Sequence, residues 1–255
     1  GRWADGPAAL GFRRLSILDL EHGAQPMRSE DGRYAVVFNG EIYNHPALKA
    51  ELESGGARYK TRSDTETVLR LCARDGAAAE ARLEGMFAFA LWDAQKRELT
   101  LARDPLGVKP LYYSFDGTRL SFASELRALT GLLPRVELDP SGVLDYLSYG
   151  FVHAPRTVVA GALKLAPGHR LVLNAHGLRV EPFWELPKRA PWQAHGRREP
   201  DREPTLPEAE AETEKLLIAA VRGQLLSDVP VGAFLSGGLD SSLICTLAAR
   251  ALPEL

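Results

Sequence analysis

The stretch Val229-Pro230-Val231-Gly232-Ala233-Phe234-Leu235-Ser236-Gly237-Gly238-Leu239-Asp240-Ser241-Ser242 joins an apolar run to a loop of glycine and serine. The run reads as a buried strand, and Leu243–Arg250 after it as an amphipathic helix. A strand, a Gly/Ser loop and a helix in that order make an anion site. Glycines let the backbone approach closely, the helix N-terminus offers unpaired N–H groups, and serine hydroxyls add donors. Leu235, Ser236, Gly237, Gly238, Asp240, Ser241 and Ser242 are therefore the expected phosphate-binding residues. A Walker-type loop ends in Gly-Lys-Ser/Thr, whose lysine reaches the β- and γ-phosphates. Here no lysine is near, and Asp240 stands in the loop. An acid beside phosphate is tolerated on a helix's first turn or facing Mg2+, which makes Asp240 a candidate Mg2+ contact. The plain alternative is a Ser/Gly turn that caps a helix.

The 255 residues suffice for one large domain or two ordinary ones. With 45% hydrophobic and 25% charged residues the composition is that of a globular protein. A net charge of −2 gives no electrostatic case for nucleic acid or an anionic membrane. No apolar stretch approaches the roughly 20 residues that span a bilayer. Cys72 and Cys245 lie in unrelated helical patterns with no metal spacing, so a reducing, cytoplasmic compartment is expected. The chain opens at Gly1 with no strand or helix start in view, which reads as a fragment.

Residues 1–187 carry short strands, turns and a few helices. Tyr34–Phe38 is a strand, with Asn39-Gly40 as a tight turn before Glu41. Helices are expected over His45–Ser54, Ser63–Arg74 and Ser141–Tyr149. Strands are expected at Met86–Asp93, Glu98–Arg103, Pro110–Phe115 and Arg119–Ala123. A hairpin of Arg170–Leu173 and Leu178–Trp184 turns at Asn174–Gly177. This strand-dense pattern, with helices set aside, implies an α+β layered domain. Residues 188–206 have linker composition: the stretch from Pro187 to Pro207 holds five prolines, both ends included, and many charges. Residues 207–255 begin a second domain, with a helix over Glu208–Leu226 that leads to the phosphate loop.

Three upstream motifs have ordinary structural readings when taken singly. Phe12–Asp19 offers surface arginine beside a strand, Asn39–Asn44 a hairpin turn, and Ser63-Asp64-Thr65-Glu66 a capping box. Taken in order, RRLSILD, VVFNGEIYN, SDTE, ARDPLGVKPLYY and FASEL resemble the glutaminase domain of class II glutamine amidotransferases, and most closely that of asparagine synthetases. GAFLSGGLDSS is similar to the pyrophosphate loop of the PP-loop ATP pyrophosphatases in the version those synthetases carry.

The resemblance implies an N-terminal-nucleophile hydrolase αββα sandwich followed by the beginning of an α/β PP-loop domain. Arg14 matches the arginine that holds the glutamine α-carboxylate, within a segment Arg14, Leu15, Ser16, Ile17 and Leu18. Asp64 matches the acid that receives the α-ammonium. Asn39 and the Gly40 N–H match the oxyanion hole, with Glu41 beside them in the glutamine site. ATP and Mg2+ are the implied cofactors, glutamine and aspartate the substrates, and a homodimer is a candidate assembly. A related enzyme acting on another carboxylate (a sugar acid, an antibiotic or a peptide precursor) is the alternative, and a regulatory glutamine-binding module a third reading. The family's nucleophile is an N-terminal cysteine. Gly1 stands first here, and Cys72 and Cys245 both read as core cysteines. The chain as given is therefore expected to hydrolyse no glutamine.

Overall fold

A computed structural model describes residues 1–13, 19, 22–186 and 205–252. Two strands, β1 (Arg2–Asp5) and β2 (Ala8–Gly11), form a hairpin at the start, where the sequence suggested no strand. Next come β3 (Met27–Arg28), β4 (Tyr34–Ile42), α1 (His45–Ser54) and α2 (Asp64–Asp75). The strands β5 (Gly85–Asp93), β6 (Glu98–Arg103), β7 (Tyr112–Phe115) and β8 (Leu120–Ala123) follow. The short helix α3 (Leu126–Thr130) and α4 (Pro140–Tyr149) precede β9 (Leu163–Lys164), β10 (His169–Asn174) and β11 (Gly177–Pro182). The last elements are α5 (Leu206–Gln224) and α6 (Leu239–Ala251). The chain divides into two units, Gly1–Glu185 and Leu186–Leu255.

In the first unit a six-stranded antiparallel sheet runs in the order β11-β10-β6-β5-β4-β3. Its side chains alternate between two cores, as the period of two requires. Tyr34, Val36 and Phe38 of β4 and Phe87, Phe89 and Leu91 of β5 face α1 and α2, meeting Leu48, Leu52, Val68 and Leu71. Ala35, Val37, Ala88, Ala90 and Trp92 face the other way, toward Leu10 of β2 and toward Tyr113, Leu120 and Phe122 of a second sheet ordered β8-β7-β9. Leu129 of α3 covers the far side of that sheet, against Tyr112 and Ala123. The layers are helix, sheet, sheet, helix: the expected αββα sandwich.

Burying a large apolar side chain is worth about 1.5–3 kcal/mol, so the aromatic rows of β4 and β5 dominate what holds the helical layer down. Among the described residues no helix is long and apolar enough to cross a membrane.

Four local expectations fail. Asn39-Gly40 is not a turn, because β4 runs unbroken through it, paired with β5 from Tyr34↔Asp93 to Ile42↔Gly85. Asn-Gly is a strong hairpin signal, yet nine residues of pairing and burial outweigh two residues of propensity. Ser63 caps α2 as expected, accepting from the Thr65 N–H at 3.3 Å. Glu66, however, does not close a capping box. Its buried carboxylate accepts from the N–H groups of Lys60 and Thr61, from the Thr61 hydroxyl, and from Arg70 Nε at 2.8 Å. Burial alone would raise its pKa, but the Thr61 and Lys60 donors and Arg70 hold it below the ordinary glutamate range.

In the second unit Val229–Leu235 is not a strand. No strand among the described residues pairs with it, and Phe234 is wholly exposed. Cys245 is likewise only half-buried, not a core residue, because α6 buries just Leu247 and Ala248. Cys72 is buried as expected.

Candidate active site

In an antiparallel sheet a residue's N–H and C=O point together toward one neighbouring strand, and the next residue's toward the other. Asn39 continues the row of Ala35 and Val37, so its side chain faces the space between the two sheets. There it lines a cavity of about 1360 Å3 together with Val37, Ala88, Ala90, Trp92 and Leu10. Alanine at positions 88 and 90 of that face leaves the room. Glu41, two residues on, shares the face and is half-buried.

Gly40 lies where β4 presses on β5. A Cβ there would stand 2.1 Å from the Met86 carbonyl oxygen and 2.7 Å from Phe87 Cα, so glycine alone fits. Its register partner is Phe87, whose backbone groups are both engaged by Asp104. The Phe87 N–H donates to Asp104 Oδ2 at 3.2 Å, and its carbonyl accepts from the Asp104 N–H at 2.8 Å. Gly40 therefore turns its own N–H away from β5, toward the β3 side. Phe38 and Ile42 do the same, donating to Gln25 Oε1 at 2.6 Å and to Asp64 Oδ2 at 3.0 Å. Between these two the Gly40 N–H meets no acceptor among the described residues. An open backbone donor at a sheet edge, next to an amide side chain, can bind an oxygen that gains negative charge.

Asp64 is the first residue of α2 and is buried, held where the helix dipole favours an anion. Its bond to Ile42 sets it two residues from Gly40 along the same sheet edge. The structure thus brings Asn39, Gly40 and Asp64 together.

Arg14, Leu15, Ser16, Ile17 and Leu18 lie outside the described residues. The residue after them, Asp19, is anchored beside α2. Its Oδ2 accepts from the Arg62 N–H at 2.8 Å and its Oδ1 from the His22 N–H at 3.1 Å. Burial would raise the Asp19 pKa, but the Arg62 and His22 contacts bring it below the ordinary range.

Asp104 and Gln25 had no role in the reading of the sequence. Asp104 was legible only as part of ARDPLGVKPLYY. It is fully buried, and besides Phe87 its carboxylate accepts from the N–H groups of Leu106, Val108 and Lys109. Its sequence signal is an acid opening an Asp-Pro-Leu-Gly turn.

The phosphate loop belongs to the second unit. Gly237 has φ +82°, which favours glycine, and Gly238 is the N-cap of α6 and offers no side chain to its N–H groups. Ser236 Oγ and Ser241 Oγ lie 2.9 Å apart over that end, and Asp240 is in the first helical turn. This donor set suits a phosphate group. Among the described residues no cluster of three or more His, Cys, Asp or Glu could hold a metal by itself.

Residues 1–184 match the family described as glutamine amidotransferase domain. The chain belongs to that family. Residues 212–255 match the asparagine synthase family. Among curated amidotransferase relatives, "Asparagine synthetase [glutamine-hydrolyzing] 1" of Bacillus subtilis (strain 168) is 37% identical over 255 residues, covering 100% of this chain and 39% of the relative. A "Putative asparagine synthetase [glutamine-hydrolyzing]" of Mycobacterium tuberculosis (strain ATCC 25618 / H37Rv) is 37% identical over 262 residues, covering 99% and 39%. The chain therefore spans about two-fifths of the length of these relatives. Among solved structures it is similar to the glutamine phosphoribosylpyrophosphate amidotransferase from B. subtilis complexed with ADP and GMP. That match has 26% identity and a TM-score of 0.45, over 64% of this chain and 32% of the other.

Proposed function

We propose that the chain supplies the glutamine site and the pyrophosphate loop of a glutamine-dependent asparagine synthetase. Residues 1–187 form the glutaminase domain, 188–206 the linker and 207–255 part of the ATP-binding domain. The observation that carries the reading is the open Gly40 N–H, framed by Asn39 on one side of the sheet edge and Asp64 along it.

Glutamine would lie with its α-ammonium on Asp64, its α-carboxylate on Arg14 and its carboxamide at Gly40, with Leu15–Leu18 and Glu41 completing the pocket. A nucleophile adding to the carboxamide carbon moves charge onto the oxygen. The Gly40 N–H and the Asn39 side-chain amide donate to that oxygen, and losing one such donor costs about 10^2–10^3 in rate. Neither cysteine of the chain supplies the nucleophile. Cys72 lies in the core on the helical side of the sheet, and burial pushes its thiol pKa up. Cys245 belongs to α6, just after the proposed phosphate loop, with its Sγ 3.8 Å from the Phe234 carbonyl oxygen. The 255-residue chain alone should thus release no glutamate from glutamine.

The ATP pyrophosphate would rest on the N–H groups that open α6 and on Ser236, Ser241 and Ser242, with Leu235 leading into the loop. Mg2+ would be held by the nucleotide phosphates, with Asp240 the nearest carboxylate of the loop. ATP bound there activates a carboxylate for attack by ammonia. Supplying the whole protein with amide-15N glutamine, aspartate and Mg2+-ATP tests this. The expected products are labelled asparagine, AMP and pyrophosphate. ADP and phosphate would overturn the adenylate, and label appearing only with a different carboxylate would move the reading to a related ligase.

A further inference from the structure

The sheet edge that presents Gly40 is finished by a side chain. Strand β3 pairs with β4 only at Met27↔Val36 and Arg28↔Ala35, so β3 has ended before Phe38 is reached. The Gln25 carboxamide takes the place of the missing strand. Its Oε1 accepts from the Phe38 N–H at 2.6 Å, and its Nε2 donates to the Phe38 carbonyl at 3.0 Å. This is the two-bond exchange of an antiparallel pair, made by a side chain and ending one pair short of Gly40. The same Nε2 donates to Thr65 Oγ1 at 3.2 Å, on the residue after Asp64. Gln25 and Thr65 are both buried.

We propose that Gln25 is a positioning residue of the glutamine site. It stops the β4 edge so that the Gly40 N–H stays open, and it fixes the distance from that donor to Asp64 through Thr65. The inference rests on the glutamine reading and deepens it. Glutamine must be gripped at both ends at once, its carboxamide at Gly40 and its α-ammonium at Asp64. A loose joint between the two grips lets each be satisfied only in turn, and oriented binding suffers from displacements of about 1 Å. A shorter residue at position 25 would also free the Phe38 N–H and carbonyl, along with the Thr65 hydroxyl. Side chains that leave buried partners unpaired are poorly tolerated, so the joint itself would shift.

Two ligands separate positioning from mere stability. L-Glutamine carries both ends, whereas glutaramate (5-amino-5-oxopentanoate) has the carboxamide and carboxylate but no α-ammonium. The ratio of their dissociation constants measures how well the two grips act together, and partial unfolding weakens both ligands equally. Titration calorimetry on the 255-residue chain should show glutamine binding at least tenfold more tightly than glutaramate. In Gln25→Ala that advantage should fall to about twofold. In Thr65→Val, which keeps the Phe38 pairing and breaks only the link to α2, it should fall several-fold. If Gln25→Ala does not fold, Thr65→Val decides alone. An unchanged ratio in a folded variant overturns the role of Gln25 and leaves the glutamine site standing. No binding of glutamine by the unaltered chain overturns the glutamine site and this role with it.

Discussion

Helices α2 and α5 both begin with a Ser/Thr-x-x-Glu sequence, Ser63–Glu66 and Thr205–Glu208, and the two glutamates do different things. In α5 the Glu208 carboxylate reaches back to the Thr205 N–H and hydroxyl, each at 2.8 Å. In α2 the Glu66 carboxylate turns instead to Lys60, Thr61 and Arg70. The difference follows burial. Eight of the twelve residues of α2 are buried, and none of the nineteen of α5. On an exposed helix the local partner wins because water satisfies the rest. On a buried one every N–H of the adjoining loop must find an acceptor inside, and Glu66 is the acceptor at hand.

That contrast can be broken most forcefully in the cores. Phe87→Ala removes a fully buried ring from the α2 side of the sheet and should destabilise the first unit by about 3–5 kcal/mol. Chemical denaturation monitored on that unit measures it. Phe234→Ala, at a wholly exposed position, should stay within about 0.5 kcal/mol. Equal losses at the two positions would end the distinction.

A smaller effect is expected at the two glutamates. Glu66→Gln removes a carboxylate that serves two backbone N–H groups and an arginine, and should cost about 1–3 kcal/mol. Glu208→Gln should change stability by less than about 0.5 kcal/mol. The Glu66 contribution also has a pH signature. Its folded pKa lies below the ordinary glutamate value, so the contribution is fully present at neutral pH and is lost as pH falls through that depressed value. Denaturation midpoints of wild type and Glu66→Gln should therefore converge in acid and differ above about pH 5. Midpoints a constant distance apart would contradict it.

The smallest effect belongs to His45, at the start of α1. Burial, and then Lys49, hold its imidazole below the ordinary histidine range. Its Nδ1 lies 2.7 Å from Thr67 Oγ1. The unfolded chain takes up this proton at about pH 6.5 and the folded one resists it, so stability falls as pH drops from about 6.5 toward the depressed value. His45→Asn should flatten the thermal-midpoint curve in that window, read by calorimetry at stepped pH.

The same physics decided what was legible. His45–Ser54, Glu98–Arg103 and the hairpin around Asn174–Gly177 could be read because periodicity, a proline near a helix start and a turn residue are local signals. Gly40 was located but misread as a turn, since its place in β4 depends on β5, some forty-five residues later in the chain. Asn39 and Asp64 could be named from motif resemblance, while their shared sheet edge could not. Gln25 left no signal at all. Its partners are backbone groups thirteen residues away and a hydroxyl forty residues away. The apolar run before the phosphate loop reads as a strand, but a strand exists only with a neighbour to pair with.

The proposed glutamine site sets both grips on one sheet edge, from Asn39 to Asp64. Titration calorimetry of L-glutamine into the 255-residue chain and into Asp64→Asn addresses it most directly. Asparagine at 64 can still accept from the Ile42 N–H while the carboxylate charge is removed. The unaltered chain should give a saturable one-to-one heat, with affinity weakened at least tenfold by Asp64→Asn. Equal binding by the two, or none by the unaltered chain, would contradict it.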